Sequence, residues 1–418
     1  MTASTFTLIF AAALALSVLL RLWLARRHAA HVARHRSAVP PVFADRIALS
    51  AHQKAADYTI AKTRFGMLEV LVDAGVLVAL TFGGVLAALV DWTGALPGGP
   101  LVQDLALLVA VGVLAGALSL PFSYWQTFVI EARYGFNRMT PGLWLADLAK
   151  GILLSALLGL PLAAAALWLM RAAGPLWWFW VWALWVGFQF LVLALYPTVI
   201  APIFNKFSPL PAGAARERIE ALLARCGFAS RGLFVMDGSR RSSHGNAFFA
   251  GFGRSRRIVF FDTLLARLAP DEIEAVLAHE LGHFKRRHVV KRMVWMGLLS
   301  LGFLALLAQL MASPWFYEGL GVPPATGRPG VALILFFLVL PVFTFLLAPL
   351  ASLYSRRHEF EADAFAVEHA SGPSLALALV KLYEDNASTL TPDPLHSAFY
   401  DSHPPAATRI ARLAALTA

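Results

Sequence analysis

The sequence predicts a mainly α-helical, polytopic membrane protein that carries a smaller α+β domain with a short β-sheet. Of the 418 residues, 58% are hydrophobic and only 14% are charged, which is too apolar for a chain that is soluble throughout. Seven stretches approach the roughly 20 apolar residues that a helix needs to cross a bilayer. Two long polar segments, residues 201–292 and 354–418, supply the soluble part.

The apolar stretches divide the chain into membrane and polar parts. They cover residues 6–24, 67–90, 105–120, 151–170, 176–195, 293–311 and 331–350. The domains are a first anchor at 1–24, a basic segment at 25–66, spans two to five at 67–200, a first catalytic part at 201–292, spans six and seven at 293–353, and a second catalytic part at 354–418. The first stretch has no positive n-region and is followed at once by arginines, so we interpret it as an uncleaved anchor.

The positions of Lys and Arg predict the orientation of the chain. Arg26 and Arg27 follow the first stretch, whereas residues 91–100 contain no Lys or Arg. Since cytoplasmic loops are enriched in basic residues, we expect the N-terminus outside and both polar segments and the C-terminus in the cytoplasm. The same clusters account for the net charge of +10. Without a stacking or groove-reading motif, that charge does not indicate nucleic-acid binding.

The first polar segment is predicted to contain strands and then a helix. Three short runs, at 232–237, 246–252 and 257–262, are rich in Phe and Val and are separated by turn residues. Pro270 suits the first position of a helix, and Asp271 and Glu272 favour its positive end. Cys226 is the only cysteine, which excludes an internal disulfide, and we interpret it as a small buried hydrophobe.

A metal-binding motif lies on this predicted helix. His279 and His283 are four residues apart, so both imidazoles lie on one face and can reach one metal ion. Glu280 lies between them and would act as general base on the attacking water. The alternative is an ordinary amphipathic helix with polar residues on its solvated face. The pattern favours one catalytic Zn²⁺ per chain.

A catalytic zinc site with two imidazoles requires a third protein ligand. Glu359 and Asp363 are four residues apart on a second predicted helix. We expect Glu359 to bind the metal and Asp363 to accept a hydrogen bond from a ligand imidazole, while Glu361 faces away. The alternative is a solvated charge cluster, in which Arg356 and Arg357 neutralise the acids.

His403 is the candidate donor to the oxyanion that forms during hydrolysis. Pro404 and Pro405 follow it and would stiffen the loop that presents it. The alternative is an ordinary surface histidine. Surface or structural roles are expected for His244, His288, His369 and His396.

These motifs resemble those of the type I CAAX prenyl endopeptidases, the sterile-24-type integral-membrane zinc proteases. Matching segments lie at residues 58–62, 133–137, 201–207, 241–252, 257–265, 279–283, 355–359, 397–399 and 402–405, and so extend over nearly the whole chain. The resemblance implies a zincin-like catalytic domain that caps a water-filled chamber ringed by seven helices. It also implies that His403 lies near the substrate carbonyl.

The resemblance further implies how substrate binds. An extended peptide is expected to add as a strand to the edge at Asn246, Ala247 and Phe248. Phe248 stands where family members often have Tyr, so one hydroxyl of the substrate groove is replaced.

The expected function is a membrane-embedded zinc endopeptidase that cuts peptides or membrane-associated proteins at the cytoplasmic face of the cell inner membrane. Short loops and Ala-rich, Arg-rich usage are typical of a bacterial chain, and bacteria generally lack protein prenylation. General substrates are therefore favoured over the alternative, lipidated CAAX-like tails.

A transporter or pore with a structural metal site is the alternative from another class, because Glu69, Asp73, Asp147 and Lys150 lie in or beside predicted spans. Transport leaves the metal motif unexplained.

Overall fold

Helices dominate the computed structural model, which describes residues 1–228, 232–250, 257–325 and 327–417. In chain order they are α1 (Ala3–His35), α2 (Leu49–Leu80), α3 (Val85–Gly94), α4 (Gly99–Trp125), α5 (Pro141–Ala172), α6 (Trp177–Leu195), α7 (Ala201–Phe204), α8 (Ala214–Arg225), α9 (Asp262–Arg267), α10 (Pro270–Lys285), α11 (His288–Met311), α12 (Pro314–Glu318), α13 (Pro329–Thr344), α14 (Ala348–His369), α15 (Gly372–Asp385), α16 (Pro394–Tyr400) and α17 (Ala406–Thr417). The strands are β1 (Phe207–Pro209), β2 (Leu233–Met236), β3 (Ala247–Ala250) and β4 (Arg257–Phe261). The predicted class, mainly α with a small sheet, is confirmed.

The predicted membrane spans are present, but one of them is broken. Within the described residues, six helical segments are long and apolar enough to cross a bilayer, and α2 with α3 makes a seventh if the bent pair is one span. The sequence predicts one continuous stretch at 67–90, whereas the two helices meet there at 50°. Gly84 precedes α3 with φ of 73°. Glycine adopts positive φ without the steric cost that a Cβ imposes, so Gly84 permits the sharp change of direction.

Much of the apolar surface of the spans lies outside any protein core. In four segments (Gly99–Glu131, Pro141–Ala172, Gly174–Phe204 and His288–Met311) only 6% of the most apolar window is buried. Such surface is stable against lipid and would be costly in a soluble protein. Sparse packing along the spans is also what a ring of helices around a chamber requires.

The spans pack closely at one end, around a buried carboxylate. Phe10 belongs to the apolar cluster there and is fully buried. Asp104 is also fully buried, and it accepts hydrogen bonds from Arg171, from Arg328 at 2.7 Å and from the Gly330 backbone N–H at 3.0 Å. A buried charge is stable only when it is paired. This network therefore ties α4 to the end of α5 and the start of α13.

The sheet has the strand order β1-β2-β4-β3. Strands β2 and β4 run parallel, and the two outer strands pair antiparallel to them. The three predicted strands are present with slightly shorter bounds, and the predicted residues 251 and 252 lie outside the described part of the chain. Strand β1 is not predicted, because three residues that include a proline give no alternating pattern. Strand β3 lies at the end of the order, so it forms an edge.

The two helices that carry the metal motif pack directly on each other. Helix α10 begins at Pro270 as predicted, and the Ala269 backbone N–H donates to the Glu272 carboxylate at 2.7 Å. Helix α10 lies along α14, and a Cβ at Gly282 would stand 2.9 Å from the Cα of Ala362. Only glycine permits this approach. The glycine inside the motif thus sets how closely the two helices meet.

Candidate metal centre and substrate cleft

The three predicted ligands converge in the structure. One ligand atom each from His279, His283 and Glu359 lies within 4.8 Å of the others. The Nε2 atoms of the two histidines are 3.2 Å apart, and a carboxylate oxygen lies 3.3 Å from the Nε2 of His283. Two nitrogens each about 2.05 Å from a tetrahedral zinc are about 3.3 Å apart. The spacing therefore matches a site in which both imidazoles face one ion.

The donor chemistry also fits zinc. Within the described ranges this is the only group of three or more His, Cys, Asp or Glu side chains so arranged. The Oε2 atom of Glu359 is buried and has no hydrogen-bond partner among those residues. Its nearest ion-pair contacts, with Arg409 and His279, are at 3.6 Å. A buried carboxylate oxygen without a hydrogen bond is unfavourable, and a metal ligand role would satisfy it. Two histidines and one carboxylate form a common catalytic zinc set, which leaves a position open for water or substrate.

Asp363 contacts the candidate ligand His279 on the side of the ring away from the metal position, as predicted. Its Oδ1 lies 2.8 Å from the Nδ1 of His279, which directs the Nε2 of that ring towards the metal position. Arg409, on α17, donates to both oxygens of Asp363, at 2.8 and 2.7 Å. Burial alone would lower the pKa of Arg409, but the paired Asp363 outweighs it and raises that pKa. A fixed positive charge therefore stands beside the candidate ligands, and the sequence does not reveal it.

A second chain of hydrogen bonds lies behind the other histidine ligand. The Nδ1 of His283 lies 3.0 Å from the Nδ1 of His288, whose Nε2 lies 3.0 Å from the Glu361 carboxylate. Since the carboxylate only accepts, His288 donates to it through Nε2 and accepts from His283. That tautomer leaves the Nε2 of His283 free for the metal.

Of the two roles expected for His288, surface or structural, its contacts fit the structural one, because this residue is only 4% exposed. Glu361 faces away from the metal position as predicted, yet it completes the chain of hydrogen bonds. The sequence spacing does not predict the contact between His288 and His283, because His288 follows His283 by five residues and lies beyond the end of α10. Arg287, with φ of 57°, turns the backbone, and this turn brings the His288 ring next to the ring of His283.

A cleft opens in front of the candidate metal centre. It is a cavity of about 550 Å³, and Glu280, His403 and Tyr383 line it together with the metal ligands His279 and Glu359. Glu280 is only partly buried, in contrast to His279 beside it. The predicted base therefore faces the space in which a substrate would lie.

The edge strand β3 forms one wall of this cleft. Asn246 and Ala247 line the cavity. Phe248 does not, and its ring lies 6.4 Å from that of Tyr196 and 6.2 Å from that of Phe261. Asn246 precedes β3, whereas Phe248 follows Ala247 within it, and successive side chains of a strand point to opposite faces. The structure thus brings two of the three predicted substrate-binding residues to the cleft and places the third on the other side.

The loop that carries His403 forms the facing wall. Its imidazole is 63% exposed, and its Nε2 lies 3.5 Å from a Glu359 oxygen. Arg356 supports the loop by donating to Ser397 Oγ at 3.0 Å and to the Asp401 carbonyl at 3.2 Å. Arg356 thus contacts this loop, and among the described residues it makes no ion pair with the acids of α14.

The remaining predicted side chains have structural contacts. Arg357 does neutralise an acid, since it donates to Glu361 at 3.1 Å. His244, His369 and His396 each stack on another aromatic ring, those of Phe136, Phe365 and His28, respectively. Cys226 is buried, as predicted.

Known families, relatives and one solved structure match almost the whole chain. Residues 28–206 match the family described as CAAX prenyl protease N-terminal, five membrane helices, and residues 209–417 match peptidase family M48. CAAX prenyl protease 1 of Saccharomyces cerevisiae is 35% identical, over 90% of this chain and 88% of its own length. The CAAX prenyl protease 1 homolog of Arabidopsis thaliana is 36% identical over 89% of each chain. The crystal structure of Ste24p from S. mikatae superposes with a TM-score of 0.91 at 30% identity, over 98% of this chain and 99% of that one.

The family assigned from the sequence motifs is thereby confirmed. Membrane helices and a peptidase part occur in one chain, and the match extends over almost all of it. This chain belongs to peptidase family M48 and is an integral, multi-pass zinc metallopeptidase of the Ste24 type.

Proposed function

We propose that this peptidase cuts internal peptide bonds with one zinc ion per chain, held by His279, His283 and Glu359. The observation that carries the proposal is the convergence of these three side chains, two of which line the cleft. When bound, zinc would acidify the attacking water and polarise the scissile carbonyl. Asp363 on one side and His288 with Glu361 on the other fix the ring nitrogens that face the ion.

Glu280 is assigned as general base and then as general acid. Its carboxylate would take a proton from the attacking water and return it to the leaving amine. It lies in the same helical turn as both histidine ligands and faces the cavity. An extended peptide would pair with the edge of β3 beside Asn246 and Ala247, which brings its backbone in front of this base.

The function is tested on the purified full-length chain. We expect one zinc per chain by elemental analysis, and hydrolysis of an unmodified fluorogenic peptide that a chelator abolishes and added zinc restores. The names of the relatives favour a second candidate, cleavage of prenylated CAAX tails. If only the prenylated form of the same peptide were hydrolysed, the substrate class would be lipidated tails and not general peptides. Hydrolysis that withstands complete zinc removal would refute the proposal itself.

His403 is assigned as a donor to the oxyanion. A His403→Ala variant should keep its zinc and lose about 100- to 1,000-fold in kcat, with little change in KM, because oxyanion donors act mainly in the transition state. Steady-state kinetics on the fluorogenic peptide measure this. His369→Ala is the matched control, since that ring stacks on Phe365 outside the cleft. A His403→Ala variant with the kcat of the parent would remove the assignment and leave the metal mechanism intact.

We infer that the catalytic parts face the cytoplasm of a cell whose inner membrane holds the spans. The distribution of arginines supports this orientation. Reporter fusions at Gly98 should therefore report the outside, and fusions at Arg133 and at the C-terminus should report the cytoplasm. The reverse pattern would place the cleft on the outer face.

The transporter alternative loses one of its supports. Asp147 was a candidate for an ion pathway, but Arg241 binds both of its oxygens, at 2.8 and 3.0 Å. Arg241 also donates to Asn205 at 3.0 Å. This contact joins α5 to the catalytic part, so Asp147 has a structural role.

A further inference from the structure

A second cavity, of about 900 Å³, lies on the other side of the loop that carries His403. Pro404 and Pro405 line both cavities, so these two residues separate them. The second cavity contains neither the candidate zinc ligands nor Glu280 among its lining residues. It is bounded by the end of α10, the first turn of α11, the middle of α14 and the start of α17.

The lining of this cavity is strongly basic. Its cations come from four helices or their ends, and they are Arg286, Lys291, Arg356, Arg357 and Arg412. Glu361 is the only acid among its lining residues, so the formal charge there is +4, five cations less one carboxylate. Like charges gathered in one concave site repel each other unless an anion joins them.

Several of these cations remain available to a ligand. Lys291 lies 3.9 Å from Glu361, and its side chain is 48% exposed. Arg357 is nearer to Glu361, at 3.1 Å, but it is 80% exposed. Arg412 lies over the ring of Phe360, with its guanidinium carbon 4.5 Å from the ring centre. Guanidinium groups match the oxygens of a phosphate, with which they form paired hydrogen bonds.

Exposed apolar side chains continue from the cavity along two membrane spans. Val290 and Val294 lie beside Lys291 on α11, and Leu350 and Leu353 lie on α14 one to two turns before Arg357; all four are exposed. Leu353 itself lines the cavity. A basic pocket above exposed leucines and valines has the chemistry of a phospholipid, whose headgroup is anionic and whose chains are apolar.

We propose that this cavity binds the phosphate headgroup of an anionic glycerophospholipid from the surrounding bilayer. The acyl chains lie against the exposed side chains of α11 and α14, and Arg286, Lys291 and Arg412 hold the phosphate. The bound headgroup also supports Pro404 and Pro405 from behind, on the opposite side from the cleft.

The test is native mass spectrometry of the full-length chain in detergent, with phosphatidylglycerol or phosphatidylcholine of identical acyl chains. We expect tighter binding of phosphatidylglycerol, and a loss of affinity of at least about tenfold in Arg286→Gln/Arg412→Gln, because each basic residue adds to the attraction of an anionic lipid. The matched control is Arg26→Gln/Arg292→Gln, which removes the same charge beside two spans but outside the cavity. The control should bind as the parent does.

Three outcomes would overturn the proposal. Equal loss in both double variants would show a general charge effect. Equal affinity for the two lipids would show that the cavity does not select an anionic headgroup. If inorganic phosphate displaced phosphatidylglycerol and bound as tightly as that lipid, the apolar side chains would contribute nothing to lipid binding. Should the first double variant fail to fold, Arg286→Gln/Lys291→Gln provides the same comparison, with folding checked by thermal unfolding.

Discussion

Replacement of Glu280 by Gln should lower peptide hydrolysis by about 10⁴-fold, the upper range for the loss of a general acid or base, while zinc stays bound. Gln keeps the size of the side chain and cannot take the proton from water. The candidate ligands are untouched, so elemental analysis should still find one zinc per chain. Hydrolysis of a fluorogenic peptide and zinc content, measured on the same preparation, separate chemistry from metal binding.

Glu274→Gln is the matched control for this variant. Glu274 lies on the same helix but pairs with Arg218 at 3.0 Å and with Arg225 at 2.6 Å, away from the cleft. We expect the control to cleave at nearly the parental rate. Wild-type hydrolysis by the Glu280→Gln variant would refute the mechanism.

Replacement of Glu359 by Ala should remove the metal as well as the activity. Loss of a residue that merely orients a zinc ligand costs about 10- to 100-fold in metal affinity, so loss of a ligand should cost more than about 100-fold. After dialysis against a weak chelator, the variant should contain little zinc and show no measurable hydrolysis. Elemental analysis before and after dialysis provides the measurement.

Glu368→Ala is the control for the third ligand, because Glu368 is an exposed carboxylate on the same helix. It should retain zinc and activity. Full zinc occupancy in Glu359→Ala would show that another side chain completes the site. A folded variant that lost zinc but still cut peptide would separate the metal from the reaction.

Local periodicity explains which parts of the site the sequence could predict. His279 and His283 are one helical turn apart, and Glu359 and Asp363 repeat that spacing on a second helix. Each pair needs only the geometry of its own helix to reach its position. Spacing in the sequence therefore predicts that each pair shares one helix face, and in the structure the pairs meet, with Glu359 3.3 Å from the Nε2 of His283 and Asp363 2.8 Å from the Nδ1 of His279.

Long-range contacts explain which parts it could not predict. Arg409 follows His279 by 130 residues, and a single arginine in a short amphipathic helix gives no signal that it is buried. His288 depends on a backbone turn at Arg287, a non-glycine residue with positive φ, which sequence patterns rarely announce. The break between α2 and α3 was not predicted either. Hydropathy shows that a stretch is apolar and long enough to cross a bilayer, but it does not show whether the helix bends.

One ligand-bearing helix, α14, is continuous with a membrane span, and the other, α10, is separated by two residues from the start of another span. Glu359 lies in the helical run Pro329–His369, which includes the last span, and His288, which contacts His283, is the first residue of another span. The distance between the Glu359 carboxylate and the His283 imidazole thus depends partly on the relative positions of the two membrane helices α11 and α14. A change in the tilt of either helix would therefore alter the distance between the Glu359 carboxylate and the imidazole of His283.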